Sequence, residues 1–141
     1  MIQITEHFRL NEFSQHERHG FSIEPYPLEW VEERLRPLCE TLEAIRFELG
    51  GKTVKILSGY RSPGYNRVIG GKLSSQHVAG RAADFVVGGV TQKEVHDAVL
   101  KIYRAGFLPW LGGLGEYPRF THIDVRPRIR LARWEGNRTE S

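Results

Sequence analysis

Three side chains in this sequence have the chemistry to bind one divalent metal ion. His77 is followed by Asp84, and His122 comes much later in the chain. Zinc accepts imidazole nitrogen and carboxylate oxygen, and a catalytic zinc typically has three protein ligands and a fourth position for water. Bound zinc lowers the pKa of that water toward ~7, which provides a hydroxide nucleophile at neutral pH. The residues therefore predict a mononuclear metal site with hydrolytic chemistry.

Other interpretations of the same residues stay open on pattern alone. Two histidines and a carboxylate also form the iron site of non-haem oxygenases, and His122-Ile123-Asp124 fits the first half of that motif, although no histidine follows it. A structural zinc would need a fourth Cys or His ligand, and none has suitable spacing. Histidines with purely structural hydrogen bonds are the remaining alternative.

The elements that must position these residues alternate between regular segments and shaped loops. Residues 59–84 are rich in glycine and proline, as expected of a loop that carries binding or catalytic groups. Apolar spacing predicts a helix over 27–49, which Pro37 should bend or split near Arg36 because proline lacks the donor N–H. Further patterns predict strands at 53–58, 81–87 and 120–125, a short helix from Pro63, a helix over 91–105 and one more strand near Ile129 and Leu131.

Composition and charge are those of a single globular domain. The chain has 141 residues, 40% of them hydrophobic and 26% charged, and one cysteine, Cys39, which excludes an internal disulfide. Five arginines lie in the last sixteen residues: Arg126, Arg128, Arg130, Arg133 and Arg138. Such a cluster can bind a polyanion, but no nucleic-acid-binding signature accompanies it, so we expect a solvated strand and no nucleic-acid partner. His96 lies off the apolar stripe of its helix and is expected at the surface.

Beyond the three predicted ligands, a longer set of motifs closely resembles the M15 family of zinc peptidases. The matching segments are Ser58-Gly59-Tyr60-Arg61-Ser62-Pro63, Tyr65-Asn66, Gly70-Gly71, Ser75-Gln76-His77 with Gly80, Ala82 and Asp84, Gly113 to Tyr117, Phe120 to Arg126, and Trp134. The resemblance covers about residues 27–134 and is to the branch of phage-encoded, endolysin-like and bacterial murein peptidases, relatives of D-alanyl-D-alanine carboxypeptidases and of the hedgehog signalling-domain fold. It leaves residues 1–26 as an N-terminal cover segment of the same domain.

The resemblance also implies roles for individual residues. His77, Asp84 and His122 match the family's zinc ligands, and Arg61 matches an arginine that faces the substrate and its developing oxyanion. Ser75, Gln76 and Tyr60 are expected to shape the substrate loop or to support His77.

The proton acceptor is less evident from the resemblance. Arg119 stands where many members carry a carboxylate as general base. Asp124 is therefore the candidate for proton transfer, and Glu116 is the reserve. An equally good interpretation of Asp124 is a carboxylate that orients a zinc histidine.

The predicted fold is α+β, with a small, mostly antiparallel sheet and helices packed mainly on one side of it. The implied function is a zinc-dependent peptidase that cleaves peptidoglycan stem peptides or cross-bridges. A non-catalytic, zinc-stabilised wall-binding or virion structural module is the alternative. Residues 1–8 lack a signal-peptide pattern and no apolar run reaches membrane-spanning length. We therefore expect a protein that is cytoplasmic as synthesised and reaches the wall by release or by delivery, for example in a phage particle.

Overall fold

In the computed structural model, which describes residues 2–141, three α-helices and seven β-strands surround one core. The strands are β1 (Gln3–Thr5), β2 (Phe8–Arg9), β3 (Val54–Ser58), β4 (Ala82–Val87), β5 (Gly113–Glu116), β6 (Thr121–Asp124) and β7 (Ala132–Glu135). The α-helices are α1 (Arg36–Glu48), α2 (Pro63–Val68) and α3 (Gln92–Arg104). Short 3-10 helices span Leu10–Phe13 and Leu28–Trp30, and a π-helical turn spans Val31–Leu35.

The main sheet has five strands in the order β3-β4-β6-β5-β7, and β1 pairs with β2 in a separate hairpin. All neighbours in the main sheet are antiparallel except β5 and β7. The α+β class and the mostly antiparallel sheet predicted from the sequence are therefore confirmed.

Alternation along the strands gives the sheet two different faces. Ala83, Phe85 and Ile123 are buried in the hydrophobic core together with Leu42 of α1 and Val99 of α3. Because successive side chains of a strand point to opposite faces, the residues between them must face away from these helices. The helical layer on one side thus leaves the other face of β4 and β6 for polar residues.

The first helix is divided where the proline predicts it. The α-helix starts at Arg36 with Pro37 in its first turn, after the π-helical turn at Val31–Leu35. Pro37 has no N–H for an intrahelical bond, so it is tolerated at a helix start but not in the interior. The buried stripe of α1 continues through Leu38, Leu42 and Ile45.

The N-terminal cover segment contributes to the core and holds the loop that follows β3. Phe8 and Phe13 are fully buried, and the Phe13 carbonyl accepts the backbone N–H of Tyr60 at 2.8 Å. A Cβ at Gly59 would lie 2.7 Å from the Phe13 main chain. Glycine is required here because the two backbones approach so closely.

Two local expectations are wrong. The last strand begins at Ala132 rather than near Ile129, whose side chain is fully exposed, because the backbone hydrogen bonds to Gly112 start only at Ala132. His96 is buried rather than exposed at the surface, since Glu116 at the end of β5 packs beside it.

Within residues 2–141, none of the helices combines the length and hydrophobicity needed to cross a membrane.

Candidate metal centre

The three predicted ligands converge on the polar face of the sheet. Asp84 of β4 is paired directly with His122 of β6, and His77 reaches the same point from the loop before β4. One potential ligand atom from each of the three residues lies within 4.8 Å of the others, and all three residues are buried. The Nε2 atom of His77 is 3.1 Å, and the Nδ1 atom of His122 is 2.9 Å, from the same Asp84 oxygen, Oδ1.

Hydrogen bonds at the far side of each ring determine which nitrogen carries the proton. The Nδ1 atom of His77 lies 2.7 Å from the Gly59 carbonyl oxygen, and the Nε2 atom of His122 lies 2.8 Å from Oδ2 of Asp124. Both of these oxygens can only accept, so in the neutral rings those nitrogens are the donors. The remaining nitrogen of each ring then presents a lone pair toward the Asp84 carboxylate. Two imidazole nitrogens and one carboxylate oxygen, all of them acceptors, therefore face one another, and a cation between them would satisfy all three.

The electrostatics of His77 and Asp84 agree with this arrangement, whereas for His122 the effect of burial is outweighed by hydrogen bonds to Asp124 and Asp84, which raise its pKa. Burial lowers the pKa of His77 to about 4, with a further contribution from the Arg61 charge, so this imidazole is neutral at pH 7. Burial opposes ionisation of Asp84, but the electrostatic interactions with His77 and His122 outweigh it and hold its pKa well below the usual value. A neutral imidazole beside an ionised carboxylate is the state in which both groups ligate a metal.

The second oxygen of Asp84 is held by groups that are not ligands. Oδ2 accepts from Nη2 of Arg61 at 3.2 Å and from the hydroxyl of Ser141 at 2.8 Å. Arg61 is itself buried and also donates to Ser58 Oγ at 3.1 Å. The structure therefore places Arg61 against the carboxylate of a predicted ligand. No motif in the sequence pointed to Ser141.

Asp124 lies behind His122 and is fully buried. Besides His122, it binds the guanidinium of Arg126 through both oxygens, with Nε to Oδ1 and Nη2 to Oδ2 each at 2.7 Å. Burial raises the pKa of Asp124, but hydrogen bonds from Arg126 and His122 hold it below its usual range. This geometry favours an orienting role over proton transfer. Sequence reasoning missed the role of Arg126, which lies two residues beyond the end of β6.

Room for this carboxylate comes from the neighbouring strand. Gly113 of β5 is paired with Asp124, and a side chain there would overlap the Asp124 carboxylate. The glycine-rich segment of β5 thus leaves room for a buried acid on the neighbouring strand.

The other predicted site residues fall at different places. Ser75 Oγ accepts the backbone N–H of His77 at 3.2 Å, and the Gln76 carbonyl accepts that of Arg81 at 2.9 Å, so both shape the loop that carries His77. The half-buried ring of Tyr60 packs edge-on against neighbouring aromatic rings. Glu116 shares a sheet face with Thr121 and lies 3.8 Å from His96, on the side opposite to His122.

Comparison with known proteins gives two findings. A family model described as Peptidase M15 matches residues 6–124, which begins inside the N-terminal cover segment. The peptidoglycan L,D-endopeptidase MepK of Escherichia coli strain K12 is 37% identical over 83 residues, which cover 54% of this chain and 42% of that protein. MepK of Shigella flexneri matches to the same extent. The match thus spans less than half the length of these curated relatives.

Proposed function

Since its family model matches residues 6–124, the chain belongs to the peptidase M15 family, and we propose that it is a zinc-dependent peptidase of bacterial peptidoglycan. M15 peptidases are metallopeptidases, and the His77–Asp84–His122 group can hold a metal ion. The peptidoglycan substrate is proposed because the relatives named above are peptidoglycan L,D-endopeptidases.

One observation carries the metal assignment. Two imidazole lone pairs and a carboxylate oxygen face one another in a buried pocket, and each imidazole is anchored through its other nitrogen. Without a cation, acceptors would face acceptors away from water, which is unfavourable. The donor set of two nitrogens and one oxygen is that of catalytic zinc sites. When bound there, zinc activates a water molecule and polarises the substrate carbonyl.

The chain's own residues hold this set in place. Gly59 and Asp124 fix the tautomers of His77 and His122, and Arg61 fixes the carboxylate of Asp84. Because Arg61 is a buried cation beside the site, we also expect its charge to favour the oxyanion that develops on the substrate.

The direct test combines metal analysis with product analysis. We expect the purified protein to contain one zinc per chain and to release peptides from purified murein, with release abolished by a chelator and restored by zinc. Mass spectrometry of the products identifies the bond, and the L,D linkage is the first to examine because the relatives are named for it. Stoichiometric zinc without any released peptide would reject the catalytic part of this proposal.

A non-catalytic, zinc-stabilised wall-binding or virion module is the second candidate. This candidate is favoured because neither predicted general base is well placed to accept a proton. Asp124 is bound by Arg126, and Glu116 lies on the opposite face of the sheet. At the position where many M15 members carry the general base, this chain has Arg119. In this case murein would pull down the protein in a sedimentation assay, and digests would contain no new peptides. For either candidate we propose that the protein acts on the wall after release or delivery from the cell interior.

A further inference from the structure

Residues 138–141 form part of the wall of a groove beside the metal centre. This groove, of about 360 Å³, is lined by His19, Val68, Ile69 and residues 138–141. We call residues 138–141 the tail segment. Although the tail segment has no regular structure, Ser141 at its end is only 8% exposed. A peptide segment is thus seated next to the proposed ligands.

Two contacts hold the tail segment there. The Ser141 hydroxyl donates to Oδ2 of Asp84 at 2.8 Å. The guanidinium of Arg18 donates through Nη1 to the Ser141 carbonyl and through Nη2 to the Glu140 carboxylate, both at 3.3 Å. One arginine therefore binds both the backbone and the acidic side chain of a segment whose Ser141 contacts Asp84.

The position of Arg18 is determined by a tight turn in the cover segment. Its backbone pairs with Phe21 in both directions, with N–O distances of 3.2 and 2.9 Å, and His19 and Gly20 between them have positive φ. Arg138 also lines the groove. Burial is the main cause of the lowered pKa of Arg61, and the charges of Arg138 and Arg18 lower it further.

We propose that the position of the tail segment, between Arg18 and Asp84, is the acidic-peptide subsite of the enzyme, and that Arg18 binds a carboxylate of the substrate peptide there. The tail segment occupies the subsite as a stand-in, with Glu140 in the place of the substrate carboxylate. This inference rests on the proposed function, because stem peptides of the wall are the acidic peptides in question. Arg18 determines specificity through binding and takes no part in bond cleavage.

Competition between tail and substrate follows from this assignment. A substrate carboxylate and the Glu140 carboxylate cannot both occupy the guanidinium of Arg18. Weakening the tail contact should therefore improve substrate binding, whereas weakening Arg18 should impair it. A merely structural contact would make both changes neutral or harmful.

The test uses the full-length protein and calorimetric binding of two probes, a synthetic peptidoglycan stem tetrapeptide with free carboxylates and the same peptide with those carboxylates amidated. Arg18→Ala should weaken binding of the free-acid peptide about threefold to tenfold, as expected for a partly exposed charged pair, and leave the amidated peptide unchanged. Arg18→Lys should recover part of the loss. Glu140→Gln should tighten binding of the free-acid peptide, and Arg104→Ala, an exposed arginine at the end of α3, should change nothing.

Metal content and hydrolysis separate this inference from the proposed function. Each variant should keep the zinc content of the wild type, and with active enzyme the Arg18→Ala effect should appear in KM rather than in kcat. An equal affinity of wild type and Arg18→Ala for the free-acid peptide would overturn the subsite, even if the wild type hydrolyses murein. Conversely, a selective loss of binding in Arg18→Ala, with no hydrolysis by any form, would retain the subsite and reject the peptidase.

Discussion

The Asp124→Asn variant tests whether this buried acid orients His122 or accepts a proton. Asp124 accepts hydrogen bonds from Nε2 of His122 at 2.8 Å and from two guanidinium nitrogens of Arg126 at 2.7 Å each. An asparagine has nearly the same shape, but one of its two positions is an NH₂ donor. In either amide orientation a donor then faces either the His122 N–H or the Arg126 N–H, within a site that excludes water.

The expected consequence is a weaker metal site. Loss of a partner that orients a ligand histidine typically costs 10- to 100-fold in metal affinity, which corresponds to about 1.4–2.7 kcal/mol. We expect the zinc affinity of Asp124→Asn, measured by competition with a chromogenic chelator, to fall by about this factor, and turnover at saturating zinc to fall less. Asp97→Asn is the matched control, because Asp97 is an exposed carboxylate on α3 that pairs with Lys93; it should change neither quantity.

The opposite pattern would refute the orienting role. If Asp124→Asn binds zinc as tightly as the wild type but loses turnover a hundredfold or more, Asp124 is the proton acceptor. Circular dichroism and thermal unfolding should accompany both measurements, since a carboxylate with no exposed surface also stabilises the fold through Arg126.

Three further predictions concern other parts of the molecule. His77→Ala should lose the metal and all murein clearing in zymograms, and added zinc should not restore either; full clearing by this variant would contradict the metal assignment. Burial lowers the pKa of His96, so its unfolded form takes up a proton near pH ~6.5 while the folded form does so only at lower pH. Stability should therefore fall as the pH decreases below ~6.5, with no contribution from His96 above it, and urea unfolding between pH 5 and 7.5 should show a shallower decline for His96→Gln; identical slopes would contradict a buried, neutral His96. Replacing the exposed Arg128, Arg130 and Arg133 together should weaken sedimentation with murein at low salt and matter less at high salt, where surface charges are screened; unchanged binding at low salt would reject this contact with anionic wall polymer.

Much of the fold could be predicted from local patterns. Ser62 caps α2 by accepting the Tyr65 N–H, and Thr91 caps α3 by accepting the Glu94 N–H, as their sequence motifs predict. The split near Arg36 follows from the missing N–H of Pro37. These features depend on residues within one turn of one another, so the sequence reveals them directly.

For the candidate metal site, too, some features could be predicted from the sequence and others required the tertiary structure. The types of His77, Asp84 and His122 allow a metal site but leave structural histidines as an alternative, and the longer set of motifs that resembles the M15 family favours the metal. Other contacts depend on tertiary structure alone. They are the hydrogen bonds of the two imidazole rings to Gly59 and Asp124, the ion pair of Arg126 with Asp124, and the hydrogen bond of Ser141 to Asp84. His122 meets Asp84 because antiparallel pairing of β4 with β6 buries Phe85 and Ile123 on the opposite face, and burial of His96 follows from the same sheet. Such contacts join residues distant in sequence, and only the packing of the whole core decides between registers that local patterns allow equally.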